Sequence, residues 1–143
     1  MTRDLIAYCG LYCGACSFKT AVEEGVAEHV LSMPERYDKF KSEPFGTPCP
    51  GCRLENLCGQ CGMRDCAAGK ELAHCGQCDD FPCEKVQSFN DDGAPHHAEA
   101  IANLRLLREL GEERWLELQK EKWTCSCGRR LSWYHKTCSA CGK

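Results

Sequence analysis

Apolar residues recur at helical spacing in two parts of the chain. In the first part they form one stripe, which consists of Phe18, Ala21, Val22, Val26, Val30 and Leu31. This stripe predicts a helix from Phe18 to Met33, with the glutamates facing away from it. Because proline favours the first position of a helix, Pro34 predicts a short second helix, Pro34 to Lys41. His29 lies beside the stripe, and we expect it to be partly buried or at the surface rather than a ligand.

The second helical pattern follows Pro95. Its predicted buried side consists of Ile101, Leu104, Leu107 and Leu110. The spacing predicts a helix from Pro95 to about Leu110, which Gly111 ends, and a further helix from Glu112 to Lys122 that turns its apolar residues toward the same core. His96 and His97 fall in a first helical turn, where a positive charge is disfavoured, so we expect them to be neutral and at the surface.

Between these two parts, the helical pattern gives way to cysteine, glycine and proline. The cysteines of this stretch are Cys49, Cys52, Cys58, Cys61, Cys66, Cys75, Cys78 and Cys83. The group Cys58, Cys61 and Cys66 recurs at the same offsets as Cys75, Cys78 and Cys83, so the stretch contains an internal repeat. A Cys-Gly-x-Cys turn directs both sulfurs to one point and leaves backbone N–H groups to hydrogen-bond to thiolates. The repeat therefore predicts metal-binding knuckles.

Two short helices are expected beside these knuckles. One helical turn is predicted between Gly62 and Gly69, and the run from Asp79 to Val86 has the acidic cap and early proline of a helix start. Cys83 would lie in that first turn, where the helix dipole stabilises a thiolate, as a reactive nucleophile or as a metal ligand. The repeat favours the ligand, because Cys66 has the same offset in the other copy.

The N-terminal cysteines Cys9, Cys13 and Cys16 have the ligand spacing of radical S-adenosylmethionine enzymes, in which three cysteines hold a four-iron cluster. Those enzymes need a partial or complete barrel, for which 143 residues are too few. We therefore interpret the triplet as part of a structural metal scaffold. A cluster or an open zinc site at these three residues is the alternative.

The last segment pairs a Cys-x-Cys with a Cys-x-x-Cys through Cys125, Cys127, Cys138 and Cys141. Four ligands so close in sequence predict a self-contained zinc ribbon, with Arg129 to His135 as its hairpin or loop. From Lys122 onward there are five basic residues, no acidic residue and three aromatic residues, a mixture that resembles a nucleic-acid platform. The remaining 13 basic and 21 acidic residues would repel phosphate, which argues against nucleic acid.

Composition favours metal over disulfides. The hydrophobic share of 43% includes all 15 cysteines, so the apolar core is thin for this length. The first nine residues lack the apolar run of a secretory signal, and no segment approaches the roughly 20 apolar residues that span a bilayer. We therefore expect a cytoplasmic, reducing setting without membrane contact, where paired cysteines favour zinc, with iron–sulfur as the alternative.

Four segments resemble a cysteine-rich prokaryotic family, domain of unknown function 3795. They are Tyr8 to Cys16, Arg64 to Ala67, Phe81 to Lys85 and Asn103 to Gly111. The resemblance implies a zinc-binding protein without an established activity. It supports the metal interpretation and adds no reaction.

We therefore predict a small metal-stabilised, α-rich domain in which zinc knuckles accompany packed helices. Residues 1–122 would form the cysteine-rich helical domain and residues 123–143 the zinc ribbon. Outside the ribbon eleven cysteines remain, and three four-ligand sites need twelve donors, so His74, directly before Cys75, is the predicted non-cysteine ligand. Two sites with three spare thiols is the alternative, and the pairing of ligands stays open. The total would be about three to four zinc ions per chain.

The sequence favours a structural-zinc binding or adaptor module. All-cysteine sites leave no coordination position for water, and the chain has no HExxH motif, no paired acid and base, and no phosphate loop. The alternatives are an enzyme or redox protein that uses Cys9, Cys13 and Cys16, and a thiol sensor or metal reservoir. A protein partner is compatible with the adaptor hypothesis.

Overall fold

The computed structural model describes residues 3–38, 51–53, 62–138 and 140–141. Its α-helices are α1 (Ser17–Glu24), α2 (Glu28–Leu31), α3 (Gly62–Gly69), α4 (Glu84–Asn90), α5 (Ala100–Leu110) and α6 (Glu112–Lys122). Short 3-10 helices cover Arg3–Leu5, Cys13–Ala15, Glu35–Tyr37, Cys75–Gln77 and Pro95–Glu99. In these ranges β-pairing is limited to isolated bridges, without a strand. The predicted α-rich character is therefore confirmed.

The chain divides into two compact units. The first comprises Met1–Cys13 and Pro50–Glu117, and the second comprises Gly14–Cys49 and Leu118–Lys143. The predicted boundary between residues 122 and 123 stays a prediction. Within the part of the chain that the structure describes, every helix is too short or too polar to cross a membrane.

In the second unit, the predicted single helix from Phe18 to Met33 is wrong. Gly25 adopts a left-handed φ of 68° and its N–H bonds to the Ala21 carbonyl, which ends α1. The chain then turns and α2 begins at Glu28. The apolar stripe did not predict this helix end, because the apolar residues on both sides of Gly25 keep helical spacing.

The two short helices still share a core. Three residues of the predicted stripe pack together in it: Phe18, Ala21 and Val30. Leu31, also assigned to the stripe, is 58% exposed. Of the predicted helix from Pro34 to Lys41, the structure shows a 3-10 helix at Glu35–Tyr37, and the residues from 39 onward lie outside the described ranges.

A buried polar network joins α1, α2 and the C-terminal segment. The Ser17 hydroxyl donates to Ser132 Oγ at 3.0 Å, and Ser132 Oγ lies 2.6 Å from His29 Nδ1. His29 is 1% exposed, so the expectation of a surface or partly buried side chain was wrong. Burial, together with the His135 ring 4.8 Å away between centroids, lowers the pKa of His29 to about 4. His29 is therefore neutral in the fold.

In the first unit, the N-terminal segment makes a tight turn around Gly10. The Ala7 N–H donates to the Leu11 carbonyl at 3.0 Å, and the Gly10 N–H donates to the Ala7 carbonyl at 2.9 Å. Gly10 has a φ of 92°, and a Cβ at this position would lie 2.7 Å from Leu104 Cγ. The turn that carries Cys9 therefore packs directly on α5, which requires glycine at position 10.

The last two helices follow the predicted pattern closely. The predicted helix from Pro95 begins as the 3-10 helix and continues as α5, which ends before Gly111, and α6 has the predicted bounds. Leu104 and Leu107 are buried as expected, whereas Leu110 is 38% exposed. His96, in this 3-10 helix, is buried rather than at the surface, and its ring packs against the His97 ring with 4.2 Å between centroids.

The Gly10→Ala substitution should destabilise the protein more than Gly93→Ala. Both glycines have φ near 90°, but a Cβ at Gly93 would meet no atom within 4 Å, so this control carries the backbone strain alone. Overpacking against Leu104 should add about 1–3 kcal/mol at Gly10. Chemical denaturation of the metal-loaded variants measures the difference, and equal losses would show that the close approach to α5 has no energetic consequence.

Acidification should weaken the wild-type fold partly through His29. Because the pKa of His29 is about 4 in the fold and 6.5 ordinarily, the unfolded chain takes up a proton that the folded chain does not, and stability falls as pH drops from about 6.5 to 4. The slope from this group reaches about 1.4 kcal/mol per pH unit.

The His29→Gln variant removes this contribution and leaves the acid sensitivity of the cysteines in place. Urea denaturation between pH 7 and about pH 4 should therefore show a shallower loss of stability in the variant than in the wild type. Parallel curves would contradict the neutral, buried state of His29.

Candidate metal centre

A tight turn presents Cys125 and Cys127. The Cys125 N–H donates to the Arg129 carbonyl at 2.7 Å, and the Gly128 N–H donates to the Cys125 carbonyl at 2.8 Å. Gly128 supplies the φ of 94° that this reversal needs. Isolated antiparallel bridges pair Thr124 with Arg130 and Ser132 with His135. The segment between the two cysteine pairs is thus folded back on itself.

The four C-terminal sulfurs converge on one point. Cys125 Sγ lies 3.3 Å from Cys141 Sγ, and Cys127 Sγ lies 3.4 Å from Cys138 Sγ. All four lie within 4.8 Å of one another, and in the described ranges no other group of three or more His, Cys, Asp or Glu ligand atoms is this close. Tetrahedral thiolate coordination places sulfurs about 3.8 Å apart, so these four residues could hold a metal ion.

Backbone N–H groups prepare two of these thiols for deprotonation. The Cys127 N–H, with help from the Cys141 thiol, lowers the pKa of Cys125 from 9.0 to about 6. The Cys141 N–H likewise lowers the pKa of Cys138. At Cys127 the Arg129 N–H lowers the pKa, but the neighbouring Cys138 and Cys125 thiols raise it more, and the net pKa is raised. Packing the sulfurs together thus opposes full deprotonation unless a cation joins them.

Within the second unit, Arg130 connects the segment that carries the C-terminal cysteines to α1 and to the residues just before it. Its Nη1 lies 2.5 Å from Glu23 Oε1, its Nη2 donates to the Gly14 carbonyl at 2.8 Å, and its backbone N–H donates to Glu24 Oε1 at 3.0 Å. Arg129 has a looser contact, 3.9 Å from Glu24 Oε1, and is half exposed. Both arginines of the predicted nucleic-acid platform therefore lie close to carboxylates of α1.

Of the three aromatic residues of that platform, Trp123 is internal, whereas Trp133 and Tyr134 are half-buried. Trp123 is buried, and its Nε1 donates to Gln119 at 3.3 Å. The Lys122 and Lys136 ammonium groups lie 5.1 and 5.8 Å from its ring centroid. Trp123 is thus an internal anchor for two lysines rather than a surface on which a base could stack.

A second group of cysteines lines a small cavity in the first unit. The cavity measures about 30 Å³ and is bordered by Cys66, Cys75, Cys78 and Cys83. Cys83 is the N-cap of α4, directly before the first turn in which it was predicted. The other described residues of its lining are Met63, Ala67, Lys70, Leu72 and Lys85. The four sulfurs are farther apart here than in the C-terminal group.

Lysine was not among the predicted site residues. Lys70 Nζ lies 3.4 Å from Cys78 Sγ, and the hydrogen bond to that sulfur raises the pKa of Lys70. Sequence spacing does not reveal this contact, because Lys70 and Cys78 are eight residues apart and Lys70 lies just after α3, which ends at Gly69.

The remaining predicted ligands are only partly described. Cys9 and Cys13 are buried, and the Cys52 N–H donates to Cys13 Sγ at 3.4 Å, another N–H contact to sulfur. Arg53 anchors this segment through Nε, which donates to the Ile6 carbonyl at 3.1 Å. Cys16 is the N-cap of α1. Cys49, Cys58 and Cys61 lie outside the described residues, so the roles predicted for them, and a shared ion for the N-terminal triplet, stay predictions.

The ligand role predicted for His74 also stays a prediction. His74 is buried and precedes the 3-10 helix Cys75–Gln77, where its Nδ1 accepts a hydrogen bond from the Gly76 N–H at 3.1 Å. This capping contact takes up one of the two ring nitrogens. None of the twelve cysteines in the described ranges forms a disulfide.

The chain matches one family model, described as a protein of unknown function (DUF3795), over residues 5–88. This stretch is more than half of the chain and includes the N-terminal cysteines and both copies of the central repeat. The segment Asn103 to Gly111, which also carried the resemblance, and the C-terminal cysteine group lie beyond it. No curated protein and no solved structure matches the chain.

The Arg130→Ala substitution should destabilise the second unit, because it removes the contacts to Glu23 and to the Gly14 carbonyl together. Loss of charge-assisted bonds at a partly buried site predicts a cost of about 1–3 kcal/mol. Arg129→Ala is the matched control and should cost about 0–1 kcal/mol, since its ion pair is long and exposed. Denaturation of both metal-loaded variants measures this, and similar losses would contradict the anchoring role of Arg130.

Proposed function

The chain belongs to the DUF3795 family of proteins of unknown function, and we propose that it is a zinc-binding module in which the metal has a structural role. The proposed ligands are Cys125, Cys127, Cys138 and Cys141. They would form a zinc ribbon with the segment from Arg129 to His135 as its folded-back loop. The observation that carries this proposal is the convergence of the four sulfurs within 4.8 Å.

The chemistry of the donor set favours zinc. Four thiolates in tetrahedral geometry suit zinc or iron–sulfur centres and disfavour hard cations such as magnesium and calcium. Backbone N–H groups at Cys127 and Cys141 support negative charge on Cys125 and Cys138. A mononuclear site at which the protein supplies all four donors matches a structural zinc ion.

A structural role follows from the closed coordination. Zinc that activates water keeps one position for it, whereas four cysteine ligands leave none. The residues of this chain would therefore hold the ion and fix the turns that carry them, while any partner binds elsewhere. The acidic neighbours of Arg129 and Arg130 and the burial of Trp123 support a protein partner over nucleic acid.

Substitution of one ligand tests the proposal. Cys127→Ser should lower the zinc content of the anaerobically purified full chain by one ion, as measured by elemental mass spectrometry, and should lower its melting temperature. Ser126→Ala changes the exposed neighbouring side chain and should leave both quantities unchanged.

Three outcomes would overturn the proposed zinc ribbon. The first is a Cys127→Ser variant with the zinc content of the wild type. The second is a wild-type protein with no bound metal. The third is a wild-type protein that contains iron instead of zinc, which would favour the iron–sulfur alternative at Cys9, Cys13 and Cys16.

A further inference from the structure

We propose that the first unit contains a second four-sulfur zinc site, formed by Cys66, Cys75, Cys78 and Cys83. These four residues border one cavity of about 30 Å³. The site shares no ligand with the C-terminal group. Its occupancy can therefore be measured separately.

Three short elements bring these sulfurs to the cavity. Cys66 lies on α3, Cys75 begins the 3-10 helix, and Cys83 caps α4. The Cys78 N–H donates to the Cys75 carbonyl at 3.2 Å, which closes the turn between these two cysteines. α3 contacts α4, and the 3-10 helix contacts α5. The positions of all four residues thus follow from packing within one unit.

The lining of the cavity specifies a thiophilic ion. Apart from the four cysteines, its described lining consists of three apolar residues and two lysines, and none of these described residues is a carboxylate or an imidazole. Sulfur-only donors select zinc over cations that prefer oxygen. The cavity has room for about one water molecule, and a single ion needs no more space than that.

The two lysines fit the charge that such a site would carry. Four thiolates around one zinc ion leave a net charge of about −2. Lys70 and Lys85 both border the cavity, and Lys70 Nζ lies 3.4 Å from Cys78 Sγ. Lys70 Nζ also lies 3.8 Å from Asp80 Oδ2. Two ammonium groups at the cavity would offset the two surplus negative charges of a four-thiolate zinc site.

The proposed ligand set combines cysteines from both copies of the sequence repeat. Cys66 belongs by spacing to the copy with Cys58 and Cys61, yet it borders the same cavity as all three cysteines of the other copy. The proposed site therefore groups Cys66 with the three cysteines of the other copy. His74 does not line this cavity, so the proposed site is complete without a histidine ligand.

Zinc binding requires the sulfurs to approach one another. Coordination needs separations of about 3.8 Å, and these four are more widely spaced than the C-terminal group. Cys75 Sγ contacts the Met63 carbonyl at 3.8 Å, and a zinc-bound thiolate would give up this contact.

Thiol labelling of the native, zinc-loaded full chain tests the grouping of the ligands. Zinc is removed stepwise with a chelator, the exposed thiols are alkylated with N-ethylmaleimide, and intact-protein mass spectrometry counts ions lost and labels gained. We expect a species that has lost one zinc ion and gained four labels, at Cys66, Cys75, Cys78 and Cys83. Labels on three of these with a different fourth cysteine, or labels on all four while full zinc is retained, would overturn the proposal.

Variants give an independent measurement. Cys66→Ser and Cys83→Ser should each lose one zinc ion, the double variant should lose the same single ion, and Cys66→Ser combined with Cys127→Ser should lose two. Ala68→Ser, at an exposed position of α3, is the control and should keep the wild-type content. A Cys66→Ser variant with full zinc would overturn the site. If Cys66→Ser loses one zinc ion while Cys127→Ser keeps the wild-type content, the second site is supported and the C-terminal zinc ribbon is overturned.

Discussion

Sulfur atoms held side by side need a cation between them, and the rest of the structure depends on this constraint. In the C-terminal group, N–H donors lower the pKa of Cys125 to about 6, while neighbouring thiols raise the pKa of Cys127. The fold therefore favours negative charge at these sulfurs and at the same time limits how many can ionise. A bound divalent ion removes this conflict, because every thiolate gains the same attractive partner.

The apolar cores explain why the fold needs such contacts. The cluster of the second unit consists of Phe18, Ala21 and Val30, and beside it the fully buried side chains include polar groups such as Ser132. In the first unit, Leu104 packs against a turn that tolerates only glycine at position 10. A core as small as that of the second unit leaves little stability in reserve, and metal coordination by its cysteines would supply what apolar burial does not.

Sequence patterns correctly predicted the parts of the fold that depend on residues close together in the chain. The bounds of α6 and the C-terminal cysteine group follow from spacing within one short segment. The break at Gly25 was missed because the apolar stripe continues across it. The burial of His29 depends on Ser132, which is 103 residues away, and the position of Cys66 beside the second repeat copy depends on the packing of α3 against α4. Sequence spacing contains neither of these long-range contacts.

The central claim is that bound metal maintains the cysteine-bearing turns. Amide hydrogen exchange of the full chain, before and after verified removal of all metal under reducing conditions, tests it most directly. The account predicts that the turn from Cys125 to Arg129 and the 3-10 helix Cys75–Gln77 lose their protection when the metal is removed. Unchanged protection in both segments of the metal-free protein would contradict it.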